Sequence, residues 1–421
     1  MRGMTLAPIA IAALLLAHCG VSTPPRANSW LSYRYNFSCN GCADLTDEAE
    51  AWNYYCAIGV DPTGCANSQQ PTLTLDDWKA ANGFPAAGHP DAYAAYGNLG
   101  DLRIGRDMNC VQSSNQSVAC YVTNYGPPPF GGLDQIDHTN CDWAGCQYWF
   151  DTPTALAYYF PLLSGAINDA IEGRKPFATV AMTFTPNTGT ANNANVVAFL
   201  AFGGKGDLIP SAALDGEGGK TIPRMCMACH GGTYDANTHS VTGASFLPFD
   251  AFYFQYGRDE TDDYYHAFGH PEYSLDNQQE SLRKLNAIVK ATSTPPASQA
   301  PSQAQAAILE FINGLYPDGV DNSGSIAVDG WVPTGWSADP KLYNGVVKQY
   351  CRMCHLAQSS TFATHQQFKN SAAAVEDYVC NSHDMPNAQV PFAKFWQDAL
   401  AKADLRDFLK GEGITNLHDC K

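Results

Sequence analysis

Apolar and polar positions repeat with two different periods in the two halves of this chain. In the first half the period is two: Leu102 to Cys110 and Val118 to Tyr125 read as paired strands, turned by Ser113-Ser114-Asn115-Gln116. Phe177 to Thr185 and Val196 to Phe202 alternate as a second pair across an Asn/Thr/Gly loop. Three helices interrupt them. Asp47 to Ala57 is one. Thr74, with Asp77 three residues on, opens another that runs to Gly83. Pro153 to Glu172 is the third and longest, after breaks at Pro127-Pro128-Pro129 and Gly131-Gly132. Residues 30–215 are therefore expected to form an α+β domain with a mainly antiparallel sheet.

After Phe202 a Gly/Lys/Asp-rich stretch, 203–220, reads as a hinge, and the period changes to that of a helix. Leu282, Leu285, Ile288 and Val289 share one face of a helix over Asn277 to Thr292. A Pro/Ser/Ala linker, Ser293 to Pro301, separates it from a helix over Gln303 to Tyr316. Further helices are expected over Pro340 to Tyr350, Pro391 to Leu400 and Asp404 to Leu409. The fold class is thus α+β: a disulfide-rich N-terminal domain, then two mostly α-helical modules over 216–324 and 325–421.

The first residues decide the expected compartment. Met1-Arg2 is a short basic start, and Leu6 to Ala17 is an apolar run too short to cross a bilayer, the pattern of a secretory signal over 1–19. It ends Leu15-Leu16-Ala17-His18-Cys19-Gly20, which resembles a bacterial lipoprotein box with Cys19 as the lipid-bearing residue. His18 stands where a small residue is usual, so plain cleavage to a soluble product stays open beside lipidation. The expected location is the periplasm, or the outer membrane or cell surface as a lipoprotein, with membrane contact only through a lipid on Cys19. A net charge of −17 argues against nucleic acid and anionic membrane as ligands, and 45% hydrophobic residues in 421 supply a core.

Fifteen cysteines, less Cys19 and the four in the motifs below, leave ten, an even number that fits five disulfides in an oxidising compartment. Pairings close in sequence are Cys39–Cys42, Cys56–Cys65, Cys110–Cys120, Cys141–Cys146 and Cys380–Cys420. Cys39 and Cys42 have C-x-x-C spacing, but Ala43 follows in place of a histidine.

The candidate chemistry lies in Cys226-Met227-Ala228-Cys229-His230 and Cys351-Arg352-Met353-Cys354-His355. Each is C-x-x-C-H, the attachment signature of a c-type haem: two thiols add across the porphyrin vinyl groups, and the adjacent imidazole ligates the iron. The expected cofactors are two covalently bound haem c, held by Cys226, Cys229, Cys351 and Cys354, with His230 and His355 as proximal ligands. Structural disulfides or a zinc site are the competing readings of the same spacing. A low-spin haem needs a sixth ligand. Met1 and Met4 leave with the signal, and Met225, Met227 and Met353 adjoin their own motifs, which leaves Met108, Met182 and Met385. For the first haem Met108, Met182, one of His239, His266 and His270, or an open iron all stand; Met108 sits beside Cys110, in a stretch tied down by its expected disulfide.

The order helix, C-x-x-C-H, loops, methionine, terminal helix over 325–421 resembles small cytochrome c domains, which commonly carry the distal sulfur in a Met-Pro context. That resemblance points to Met385, followed by Pro386, as sixth ligand of the second haem, with His365 and His383 as rivals. More broadly, Cys226 to Tyr234, Gly243 to Asp250, Arg106-Asp107-Met108, Ala119 to Tyr125 and Met385 to Trp396 resemble a group of bacterial exported dihaem cytochrome c-domain proteins, from about Leu73 onward. The resemblance implies haem binding and the two-part layout, and it assigns no substrate.

The expected function is electron transfer outside the cytoplasm between redox partner proteins. The alternatives are a dihaem peroxidase or oxygenase with an open first iron, and a binding protein whose haems only wire it. Asp318 to Gly324 spaces oxygen ligands as a calcium loop does but lacks the downstream acid, which favours a plain turn. Trp331 and Trp336 are candidates for a haem edge or for core.

Overall fold

The computed structural model describes residues 38–40, 48–98, 104–126, 165–186, 196–212, 220–256, 270–358, 361–381, 388–414 and 417. In chain order, strand β1 (Ser38–Asn40) precedes helices α1 (Glu48–Ala57) and α2 (Leu75–Ala81), and then strands β2 (Ala92–Asn98), β3 (Ile104–Gln112) and β4 (Val118–Tyr125). Helix α3 (residues 165–171) leads to β5 (Pro176–Thr185), β6 (Val196–Gly203), β7 (Ser211–Ala212) and β8 (Lys220–Thr221). Helix α4 (Arg224–His230), strands β9 (Thr233–Asp235), β10 (Ser240–Thr242) and β11 (Phe254–Gln255), and long helices α5 (Leu275–Ser293) and α6 (Gln303–Leu315) follow. The chain ends with α7, a wide helix over Tyr343–Cys351, then α8 (His365–Asn370), α9 (Gln389–Gln397) and α10 (Ala399–Gly411).

The organising element is a six-stranded sheet in the order β11-β2-β3-β4-β5-β6, antiparallel throughout. The fold is α+β with a mostly antiparallel sheet, and two of the expected disulfides are present in this half, Cys56–Cys65 and Cys110–Cys120. The second joins residues directly opposite on β3 and β4 and closes the hairpin. Cys380 is disulfide-bonded too; its expected partner Cys420, like Cys19, Cys42, Cys141 and Cys146, lies outside the described residues. Helix α2 starts where expected, with the Thr74 hydroxyl accepting from the Asp77 N–H at 3.1 Å.

Side chains cap the sheet edges, where backbone groups otherwise lack partners. On β6, Phe199 N–H donates to the Tyr54 hydroxyl at 2.8 Å and Ala201 N–H to that of Tyr55 at 3.2 Å. The Tyr55 hydroxyl in turn donates to Ile209 O at 2.7 Å. On β2, beside the short β11, the Gln278 amide accepts from Ala95 N–H at 2.8 Å and donates to Ala95 O at 2.9 Å. Both faces are covered. Trp78 of α2 and Phe84 meet Tyr121 edge to face on one face, which α3 also covers at Gly105. There the backbones are so close that a Cβ on Gly105 would lie 1.9 Å from Ala166 O. The opposite face carries Met108, Val122, Met182 and Phe199 and is covered by α5 and by the segment around α4.

One apolar core joins the sheet, α1, α4, α5 and α6, so the expected boundary at residues 215 and 216 divides the chain but not the packing. A second core forms around fully buried Trp336, with Tyr343, Val346, Val347, Phe368, Phe395, Leu405 and Leu409. The expected hinge over 203–220 contains a tight turn at Gly203–Asp207 and the two-residue strands β7 and β8, paired with each other. Strand β2 was not expected. Its sequence, Ala-Tyr-Ala-Ala-Tyr-Gly-Asn, is buried at nearly every position, so no alternation marks it.

Candidate functional site

The two C-x-x-C-H motifs, 125 residues apart in sequence, meet in space: Cys229 Sγ lies 3.3 Å from Cys354 Sγ. The segments around the two sulfurs interlock. The Gln358 amide donates to Ala228 O, and Gly231 passes the backbone of Ala357 so closely that a Cβ would lie 2.0 Å from Ala357 O. Gly231 also has φ +65°, which a side chain disfavours, so glycine is required there twice over. Cys226, Cys229, Cys351 and Cys354 are thiols, each half-buried, outside any disulfide. Burial, with Cys229 nearby, pushes the Cys226 thiol up to about 12, and burial does the same for Cys351. Both sulfurs keep their hydrogen at neutral pH.

Helix α4 sets the first motif. Its apolar face, Met225, Met227 and Ala228, is buried, and Gly231 N–H closes the last turn onto Met227 O at 2.9 Å. His230 Nδ1 lies 2.8 Å from Ser245 O. A carbonyl only accepts, so Nδ1 carries the proton and donates, and Nε2 is left as the bare nitrogen a metal takes. Burial holds His230 below the usual imidazole range, against the pull of the Ser245 contact. The neutral tautomer with a fixed Nδ1–H is what a proximal haem ligand requires, so the residues at the first motif fit the group.

At the second motif the His355 ring lies flat on Phe362, centroids 3.9 Å apart and planes within 7°. The two residues are also joined by Phe362 N–H to His355 O at 3.0 Å. A narrow, mostly apolar cleft beside His355 is lined by Phe311, Trp331, Tyr343, Leu356 and Phe362, with Arg352 and Glu310 as its charged members. Trp331 thus borders the cleft. Trp336 is core: its indole N–H donates to Phe362 O at 2.8 Å, with His365 at its ring edge.

Sequence reading passed over Arg352, between the second pair of cysteines. Its side chain is 6% exposed and ion-pairs with Asp250, which is 1% exposed and closes the segment after the first motif. Arg352 Nη1 donates to the Tyr343 hydroxyl at 3.0 Å, and the guanidinium stands 4.9 Å from the centre of the Phe311 ring. Burial pushes the Asp250 carboxyl up, with Arg352 pulling it down. The pair ties the second motif to the segment that follows the first.

The candidate sixth ligands are scattered. Phe199 on β6 reaches His230, ring centres 5.5 Å apart. Met182 is the direct cross-strand partner of Phe199 and shares its face of the sheet. Met108 is on that face as well, but on β3, three strand spacings or about 14 Å from β6. His239 faces Glu50, Nδ1 to Oε1 2.9 Å, and His270 faces Glu272 at 3.0 Å, beside Tyr273 and far along the sheet. His266, His383 and Met385 lie outside the described residues.

The loop Asp318 to Gly324 is a turn: Asp321 pairs with Lys290 and the Asn322 amide with Asp318 O. Among the described residues no group of three or more His, Cys, Asp or Glu side chains is placed to hold a metal ion. No helix among the described residues is long and apolar enough to cross a membrane. Neither a protein-family model nor a curated protein nor a solved structure matches this chain.

Proposed function

We propose that this chain is a dihaem c-type cytochrome that carries electrons between redox partner proteins outside the cytoplasm. The observation that carries the reading is the meeting of its two attachment motifs, Cys229 Sγ against Cys354 Sγ at 3.3 Å. Two one-electron centres relay to each other only when close, and here the attachment atoms themselves touch.

When bound, haem c supplies a one-electron iron couple. The chain does the rest. Cys226, Cys229, Cys351 and Cys354 attach the two groups. His230 presents Nε2 because Ser245 O holds its other nitrogen. His355 would hold the iron at the second motif together with Met385, whose thioether would raise the potential of that centre. Helices α5 and α6 fall within 216–324 and α7 to α10 within 325–421, the stretches this reading takes as the two haem modules. An acidic surface, net charge −17, steers basic protein partners toward it.

The test takes the full chain from a host able to mature such cytochromes. Intact mass should show two haem additions, and carbon monoxide added to the reduced protein should leave both low-spin spectra unchanged. Rapid binding of carbon monoxide at one centre supports a peroxidase or oxygenase in place of a carrier. A chain with no covalent mass beyond its amino acids and any lipid overturns the reading.

A further inference from the structure

We propose that, before any haem is attached, Cys229 and Cys354 form a disulfide with each other, so that one covalent bond joins the two attachment motifs of the unloaded chain. Their sulfurs are already 3.3 Å apart. A disulfide needs about 2.05 Å, so each sulfur moves about 0.6 Å. The backbones on either side are fixed by the Gly231–Ala357 approach and the Gln358–Ala228 hydrogen bond, so the pair is held in register.

The competing bond within the first motif is less well placed. Cys226 and Cys229 both lie on α4, three residues apart. On an intact helix the Cβ atoms of such residues are about 5–6 Å apart. A disulfide brings them to about 3.5–4.5 Å. The within-motif bond therefore distorts α4, whereas the cross-motif bond leaves it whole. The bonds Cys56–Cys65 and Cys110–Cys120 belong to a chain that meets an oxidant as it folds.

The chemistry is thiol–disulfide exchange. The Cys229 thiolate attacks a disulfide oxidant, forming a mixed disulfide and expelling one oxidant thiolate. The Cys354 thiolate then attacks the Cys229 sulfur, closing the cross-motif bond and expelling the second. Two electrons pass to the oxidant, and the two protons shed by the cysteines end on its two thiols. The consequence is an order of events. Haem attachment adds S–H across a vinyl group, and a sulfur held in a disulfide has no hydrogen to add. A dithiol reductant must first return both electrons and both protons, so reduction of this one bond precedes loading of either motif.

The test uses the full chain exported in a host without cytochrome c maturation, alkylated with N-ethylmaleimide and digested without reduction. The expected result is a linked pair of peptides containing Cys229 and Cys354, with Cys226 and Cys351 alkylated. The intact Cys56–Cys65 and Cys110–Cys120 links in the same digest report that the chain has folded. A Cys226→Ser, Cys351→Ser double variant treated with oxidised glutathione should yield the linked Cys229 and Cys354 peptides, with neither cysteine alkylated or carrying glutathione. Links within either motif, or four alkylated cysteines after oxidised glutathione, overturn the proposal. Its failure is distinct from that of the cytochrome reading, which is decided by covalent mass on the matured chain.

Discussion

Replacing Asp250 by asparagine should destabilise the protein by about 3–5 kcal/mol, the cost of leaving one buried charge without its partner. Asp250 and Arg352 are 1% and 6% exposed, so water cannot take over the role of the lost carboxylate. Asp250 Oδ1 and Arg352 Nε have no hydrogen-bond partner among the described residues, so each group depends on the ion pair for much of its solvation. The other contacts of Arg352 include a hydrogen bond to Tyr343 and the rings of Phe311, Tyr253 and Tyr343 at 4.9, 5.7 and 5.9 Å, all made already in the native protein and none carrying a negative charge. They cannot offset an unpaired guanidinium. The assay is urea unfolding followed by far-ultraviolet circular dichroism. With a slope of about 3 kcal/mol per molar, the midpoint should fall by about 1–2 M. An Asp250→Leu, Arg352→Met double variant removes both charges and should recover most of the loss, because an apolar pair of similar volume is often neutral. A loss below about 1 kcal/mol in the single variant, or a double variant as weak as the single, would refute the reasoning.

Two further outcomes follow from the geometry. In the matured protein, Met182→Leu should alter the low-spin spectrum of one centre while Met108→Leu leaves it unchanged, since Met182 stands opposite Phe199, which meets His230, and Met108 is three strands away; paramagnetic resonance of both variants checks this, and identical spectra exclude ligation by either. Glu280 is held down to about 2 by hydrogen bonds from Arg283, below its ordinary 4.5, so its contribution to stability is present above pH 4.5 and lost as pH falls toward 2. Glu280→Gln should flatten the acid dependence of the urea midpoint in that window only, by about 0.2–1 kcal/mol because the side chain is 44% exposed.

Local periodicity was a good guide wherever one side of an element differs from the other. The β3–β4 hairpin, β5, β6, α5 and α6 appear within a few residues of their expected bounds, and the pairings Cys56–Cys65 and Cys110–Cys120 followed from closeness in sequence. Of the expected helix over Pro153 to Glu172, the described part, residues 165–171, is helical. Strand β2 escaped because alanine on both faces leaves no alternation. Strands β1, β9 and β10 escaped because three residues cannot display a period. Pro340 to Tyr350 has the spacing of an ordinary helix, but from Tyr343 the turns widen, with Arg352 N–H bonding to Val347 O five residues back. The motifs themselves were legible as pentapeptides. Their meeting was not, nor was the Arg352–Asp250 pair, because contacts 125 and 102 residues apart leave no local trace.

The position of the second motif explains why a buried charge is spent there. Tyr343, Val346 and Val347, just before it, belong to the core around Trp336. Leu356 and Ala357, just after it, belong to the core of the sheet. Cys351 to His355 is therefore the seam between two cores, and any sliding of one against the other displaces Cys354 relative to Cys229 directly. Apolar packing alone is non-directional and tolerates such sliding. A buried ion pair with a hydrogen bond to Tyr343 does not, since a small shift uncovers two charges in an apolar setting. Gly231, wedged against Ala357, removes the slack on the other side. The seam is thus fixed in direction by Arg352 and in distance by Gly231, and the gap between the two attachment sulfurs is set by the whole fold rather than by either motif.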